Sequence, residues 1–306
     1  MPRLFLVFVL LASGSLRAMD GNSYLTVEGG GGVPLQVVTA GSSDKPAILF
    51  IHGLAQSHFS FHKQFQSSLS DDFYLVSFDL RGHGASAKPW ETNGYDSPEV
   101  WAQDVAAVIA ATGIRRPLLV GWSFGTLVAL DFIRVRGAEQ VAGVVLTGAI
   151  GGLLPFRLPS EEDPNVAKFQ RVRQLQMSAD PRDQVAASHQ MVDWLTTARV
   201  PESERDVLRS TSMMLPAYAR RAIYTRRQDN RDLLPRLAST PMLLALGADD
   251  NAVMLEDGAS LAAKYTNINL SLYENAGHSV FYEQAERFDR ELRAFAVISD
   301  LTVANR

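Results

Sequence analysis

Seven short apolar runs recur along this chain, each ending near Gly, His or Asp: Leu35 to Val38, Ala47 to Ile51, Tyr74 to Phe78, Leu118 to Val120, Gly143 to Leu146, Met242 to Leu246 and Leu270 to Tyr273. Continuous apolar runs of this length read as strands covered on both faces, because a strand with one wet face would alternate. Between several of them lie stretches with helical period. Val100 to Ala111 follows Ser97-Pro98-Glu99, a cap with Pro in the first turn. Leu127 to Val135 repeats apolar residues at spacings of three and four and stops at Gly137, and Ala285 to Val297 carries Phe288, Leu292 and Phe295 on one stripe. Strands alternating with helices predict an α/β fold with a mostly parallel sheet and helices on both faces, since parallel neighbours need crossovers.

The alternation breaks between Leu153 and Leu237. That span is helix-patterned, holds Met177, Met191, Met213 and Met214, and sets thirteen Arg and one Lys against eleven carboxylates in a chain of net charge −4. It reads as an inserted helical lid. Its positive bias would suit an anionic substrate, although solvated helix faces explain the same residues. At the N-terminus, Arg3 precedes nine apolar residues, Leu4 to Ala12, and small and polar residues then lead to Ala18. Nine residues are too few for a membrane span, which takes roughly 20. A basic start, a short apolar stretch and a small residue at a cleavage point describe a secretory signal peptide over 1–18. The expectation is a secreted or periplasmic protein, with a cytoplasmic one as the alternative.

Composition bears mainly on what the chain cannot do. Among its 306 residues there is no Cys, which excludes disulfide scaffolds, thiolate metal sites and a Cys nucleophile. With 46% hydrophobic and 20% charged residues the chain is ordinary globular material, and its acidic balance offers no basic field for nucleic acid.

Gly121-Trp122-Ser123-Phe124-Gly125 joins a strand to a helix. In such a G-x-S-x-G turn the central residue is strained and presented at the carboxyl end of the sheet. A serine hydroxyl needs a base to take its proton and a third group to orient that base. Of six His, His278 lies directly after the last strand, on a loop emerging at the same sheet edge. Imidazole titrates near neutrality and suits the role. His52 and His83 precede glycines in tight turns and read as structural, whereas His58, His62 and His189 read as surface or lid residues. Asp249 and Asp250 follow the strand Met242 to Leu246, so a Ser, Asp, His order is available, and spacing leaves both carboxylates open. The oxyanion formed on attack requires backbone N–H donors, and Phe124 and Leu54 occupy the turns placed to supply them.

Phe50-Ile51-His52-Gly53 with Ser57, Asp79 to Ser86, the turn around Ser123, Gly247 to Asp250, and Gly277-His278 with Glu283 together resemble the α/β-hydrolase fold superfamily. That resemblance implies an eight-stranded, mostly parallel sheet, a helical cap inserted after the strand Gly143 to Leu146, and a Ser-Asp-His triad. The core would be 19–152 and 238–306, and the cap 153–237. The usual loop pattern, Gly then two residues then Asp, selects Asp250. Ser at the elbow argues against the dehalogenase and epoxide-hydrolase branches, whose nucleophile is a carboxylate.

The resulting expectation is a serine hydrolase acting on a small carboxylic ester through an acyl-enzyme. Ser123, His278 and Asp250 are its catalytic residues, Leu54 and Phe124 its oxyanion hole, and Trp122, Phe59, Met213 and Met214 candidates for an apolar substrate pocket. No cofactor or metal is required. Cofactor-free haloperoxidases or perhydrolases and carbon-carbon bond hydrolases use the same triad and are the alternatives, with a non-catalytic ligand-binding protein as a different class. The expected partner is a small-molecule ester; oligomeric state is open.

Overall fold

The computed structural model describes residues 16–17, 21–155, 157, 164–197 and 199–300. Its strands are β1 (Leu16–Arg17), β2 (Ser23–Glu28), β3 (Pro34–Ala40), β4 (Ala47–Ile51), β5 (Tyr74–Phe78), β6 (Leu118–Trp122), β7 (Gly143–Thr147), β8 (Met242–Gly247) and β9 (Ile268–Tyr273). They form one sheet in the order β1-β2-β3-β5-β4-β6-β7-β8-β9. Pairing is antiparallel from β1 through to β5 and parallel from β5 to β9. The eight strands β2 to β9 make the mostly parallel sheet that the family resemblance implied, and β2 was not among the seven runs read from the sequence. The two-residue β1 adds to its edge, with Leu16 opposite Tyr24 and Arg17 opposite Ser23. It falls within 1–18, which the sequence reading set aside; the rest of that segment lies outside the described residues.

Central strands β4, β6, β7 and β8 are buried along their whole length, whereas β2, next to one edge, and β9, at the other, have half-exposed positions. Side chains alternate across the sheet, so the core divides into two layers. Leu49, Ile51 and Leu119 pack with Trp101, Val105, Val128 and Ile133 on one face. Ile48, Phe50, Val120 and Trp122 pack with Phe61, Phe281, Phe288 and Leu292 on the other. The covering helices of the first face are α1 (Pro98–Thr112) and α2 (Phe124–Arg136).

Between β7 and β8 the chain forms α3 (Pro164–Met177), α4 (Pro181–Leu195), α5 (Glu202–Ser212) and α6 (Ala217–Tyr224). Two further helices follow, α7 (Ala252–Lys264) after β8 and α8 (Ala285–Ile298) after β9. Among the described residues no helix is long and apolar enough to cross a membrane. The inserted helices bring their own apolar residues to both layers, Ala219, Ala222 and Ile223 on the first face and Met191, Val192 and Leu195 on the second.

A buried ion pair also ties the insertion to α2. Arg226 Nη2 donates to Asp131 Oδ2, and each side chain is 1% exposed. Burial pushes the Asp131 carboxyl up to about 7, although the Arg226 charge opposes that rise. The guanidinium also stands 5.2 Å from the Phe124 ring centroid and 5.7 Å from that of Trp101. Removing one partner of such a pair strands the other charge, so Arg226→Met should destabilise the fold by about 3–5 kcal/mol. Arg226→Met with Asp131→Leu should recover most of that loss. Urea unfolding of the three proteins measures both effects, and equal midpoints for the single and double variants would refute the ion-pair account.

Candidate active site

The chain leaves β4 toward β5 on one side and returns to β6 on the other, so a topological switch point lies between β4 and β6. Open α/β sheets bind ligands at the carboxyl ends of the strands flanking such a point. Here those ends carry His52-Gly53-Leu54 and Trp122-Ser123.

Ser123 has φ 52° and ψ −114°, a backbone state ordinary L-residues avoid. Its neighbours hold it there. The Ser123 N–H donates to the Thr147 carbonyl at 2.8 Å, and the Ser123 carbonyl accepts from the Thr126 N–H at 3.0 Å and the Thr126 hydroxyl at 2.6 Å. α2 must start beside the end of β4, and a Cβ at Gly125 would run into the Ile51 carbonyl oxygen. Only glycine permits that approach.

His278 arrives on the loop after β9. Its Nδ1 lies 2.8 Å from Asp250 Oδ2, with the two side chains 7% and 1% exposed. A carboxylate accepts, so Nδ1 carries the proton and Nε2 is left as an acceptor. The neighbouring Asp249 instead pairs with Arg199 at 2.8 Å, and both are about half exposed. The two loops are tied by the Ala248 N–H to the Tyr273 carbonyl and the Asp249 N–H to the Ala276 carbonyl, each at 2.9 Å.

The turn after β4 is fixed from beneath. His52 Nδ1 donates to the Gly53 carbonyl at 2.7 Å and its Nε2 accepts from the Leu80 N–H at 2.9 Å, so the ring is a neutral clamp between two loops. Burial holds His52 at about 4, against the opposing charge of Asp79, and burial holds His83 at about 3. Neither is placed to exchange protons with a substrate. Asp79 accepts from the His58 N–H and ring at 2.8 and 2.7 Å and from the Ala85 N–H at 2.7 Å. His58 is therefore a loop tether, a role that its polar sequence context did not suggest.

Ser123, His278, Asp250, Leu54 and Phe124 all border one cavity of about 610 Å³. Its walls are mainly apolar: Leu127, Ile150 and Leu154 from the core, Met191, Trp194 and Ile223 from the inserted helices, and Val253 and Met254 from α7. The four residues expected to line a substrate pocket do not. Trp122 faces the opposite layer from Leu119, packs at 5.1 Å on Phe281, and donates its indole N–H to the His278 carbonyl at 3.0 Å. Phe59 stacks on His62 at 4.7 Å in the loop after β4, and Met213 and Met214 are exposed just beyond the end of α5.

Nor do the described residues give the cavity the positive charge that an anionic substrate would need. Arg157 is paired with Asp257, and Arg231 with Asp229 at 2.7 Å, all four on the cavity wall. Trp194, whose ring stacks on His278 at 5.6 Å and 21°, was missed from the sequence. The available signal was the i, i+3 spacing of Met191 and Trp194 on one helix face.

Residues 48–291 match the model of the alpha/beta hydrolase family. A 2-hydroxymuconate semialdehyde hydrolase of Pseudomonas putida is 27% identical over 231 residues, 74% of this chain and 78% of its own length. The AB hydrolase superfamily protein YisY of Bacillus subtilis (strain 168) is 24% identical over 258 residues, 81% and 91% of the two chains. The crystal structure of the esterase RhEst1 from Rhodococcus sp. ECU1013 matches with a TM-score of 0.75 at 29% identity, covering 89% of this chain and 98% of that one.

Proposed function

The chain belongs to the alpha/beta hydrolase family, and we propose that it is a serine hydrolase cleaving small, neutral carboxylic esters through an acyl-enzyme. The observation carrying this reading is the His278 Nδ1 to Asp250 Oδ2 hydrogen bond of 2.8 Å on the wall of the cavity that also holds the strained Ser123. His278 Nε2 takes the Ser123 proton as Oγ attacks the ester carbonyl, and the Leu54 and Phe124 N–H groups receive the developing oxyanion. Collapse breaks the bond to the leaving alkoxide, which takes the proton back from His278 as an alcohol. Water, deprotonated by His278, then adds to the acyl-enzyme, and the carboxylic acid leaves as Ser123 recovers its proton. Asp250 keeps the imidazole in the required tautomer throughout.

The cavity wall supports the small, neutral substrate class. A cavity of about 610 Å³ lies within the range of small-molecule sites, roughly 300–1,000 Å³. Its aliphatic and aromatic lining favours an uncharged acyl group, and its arginines are already paired with carboxylates. A fluorophosphonate probe should form one adduct, on Ser123, detected by peptide mass mapping. Neutral acyl esters should then outpace dicarboxylate half-esters of equal chain length. No adduct on Ser123, together with no turnover of any ester in the series, would remove the reading. Running the series with hydrogen peroxide separates perhydrolysis, read as peracid, from hydrolysis.

A further inference from the structure

We propose that Trp194, on the last turn of α4, is a positioning residue for His278, so that the inserted helix α4 belongs to the mounting of the catalytic base. The proposal rests on the reading of His278 as that base. The indole lies nearly parallel to the imidazole, with ring centroids 5.6 Å apart and planes 21° apart. The hydrogen bond to Asp250 fixes one point of the imidazole, leaving the ring free to tilt about that bond. A flat surface stacked on its face limits the tilt, and with it the direction in which Nε2 points.

The turn carrying Trp194 is bonded to residues on both sides of His278. The Ser279 hydroxyl donates to the Leu195 carbonyl at 2.7 Å in a fully buried contact. On the other side, Glu283 Oε1 accepts from the Gly277 N–H at 2.9 Å. Glu283 Oε2 accepts from the Thr197 N–H at 3.1 Å and also from the Thr197 hydroxyl. Gly277, His278 and Ser279 are thus each held by the segment Trp194 to Thr197, with Glu283 as the bridge. Beneath, Trp122 holds the His278 carbonyl at 3.0 Å, and its ring is tilted 57° from the imidazole rather than stacked. Only one of the two indoles is stacked against the face of the imidazole.

This contact gains strength during the reaction. When His278 takes the Ser123 proton it becomes a cation, and a cation against an indole face is attracted to the ring's π electrons. An interaction stronger in the transition state than in the resting enzyme raises kcat, whereas an apolar wall that only binds substrate acts on KM.

The test is kcat and KM for p-nitrophenyl acetate, a short acyl ester, in wild type, Trp194→Phe, Trp194→Leu and Thr197→Val. In Trp194→Leu, kcat should fall about tenfold with KM within about twofold, the size expected for one desolvated cation–π contact. Trp194→Phe, which keeps a π face, should stay within about threefold of wild type. Thr197→Val, outside the cavity, should lose about two- to threefold in kcat through the weakened Glu283 bridge. Trp194→Met replaces the Leu variant if that protein does not fold. Wild-type kcat in Trp194→Leu, or a loss carried wholly in KM, overturns the proposal and makes Trp194 a pocket wall. Fluorophosphonate labelling rates distinguish the two levels. A wild type that neither labels nor turns over ester overturns the serine-hydrolase reading and this proposal with it. A wild type that does both while Trp194→Leu matches it overturns this proposal alone.

Discussion

Ser123→Ala is expected to lower kcat on a short acyl ester by about 10⁵- to 10⁶-fold while leaving KM within a few fold, because the acyl-enzyme route is removed and the cavity is not. What remains should be the uncatalysed reaction assisted by the N–H groups of Leu54 and Phe124, on the order of 10³-fold above water. A sharper result concerns His278→Ala combined with Ser123→Ala. His278 has no proton to take once the hydroxyl is gone, so the double variant should be no slower than Ser123→Ala alone. Additive losses would mean that the two residues act in separate steps, contrary to the mechanism proposed here. The fold should tolerate Ser123→Ala: the groups that hold the turn, the Ser123 N–H on Thr147 and the Ser123 carbonyl on Thr126, are backbone and remain.

Legibility in the sequence followed the range of the interaction. The buried strands were readable because continuous apolar runs are a local consequence of burial on both faces, as in Ala47 to Ile51 and Gly143 to Leu146. β2 escaped the reading because it lies near the sheet edge, has a single buried position and carries Ser23, Thr26 and Glu28 among its apolar residues. Ser123 and His278 were readable because the chain order of strand ends decides which loops share an edge of the sheet. Trp122 shows where the sequence was overread. It shares strand parity with Leu118 and Val120, so it faces the layer opposite Leu119, and period-two counting alone would have taken it out of the pocket.

The inserted helices lie beyond such counting. Met213, Met214, Met191 and Trp194 all read as apolar positions on helices, yet the first two are exposed and the last two line the cavity. What orients the insertion is a set of contacts between residues 84 to 95 positions apart: Ser279 with Leu195, Glu283 with Thr197, and Arg226 with Asp131. No local periodicity encodes such pairs. The surplus of arginine in this span gave no cationic pocket because the two arginines on the cavity wall are paired, Arg157 with Asp257 on the helix after β8 and Arg231 with Asp229 two residues away.

Asp250→Asn is the second large expected effect, a fall in kcat of about 10³- to 10⁴-fold with little change in unfolding midpoint. The tautomer of His278 decides the outcome. Asp250 Oδ2 accepts the Nδ1 proton of His278, leaving Nε2 bare. An asparagine that presents its NH₂ to Nδ1 reverses the pairing, moves the ring proton to Nε2, and leaves nothing to receive the Ser123 proton. The opposite amide orientation would keep the working tautomer, but it puts the NH₂ at the Oδ1 position, where the carboxylate oxygen is buried with no hydrogen-bond partner among the described residues. Two donor hydrogens would then be stranded there at a cost of about 1–3 kcal/mol, so the inactive orientation wins. Asp249→Asn is the matched control. Among the described residues its carboxylate pairs with the half-exposed Arg199, a pair worth at most about 1 kcal/mol, and kcat should stay within about twofold. If the two substitutions cost the same, Asp250 is not the group that orients His278, and the selection of one carboxylate over its neighbour fails with it.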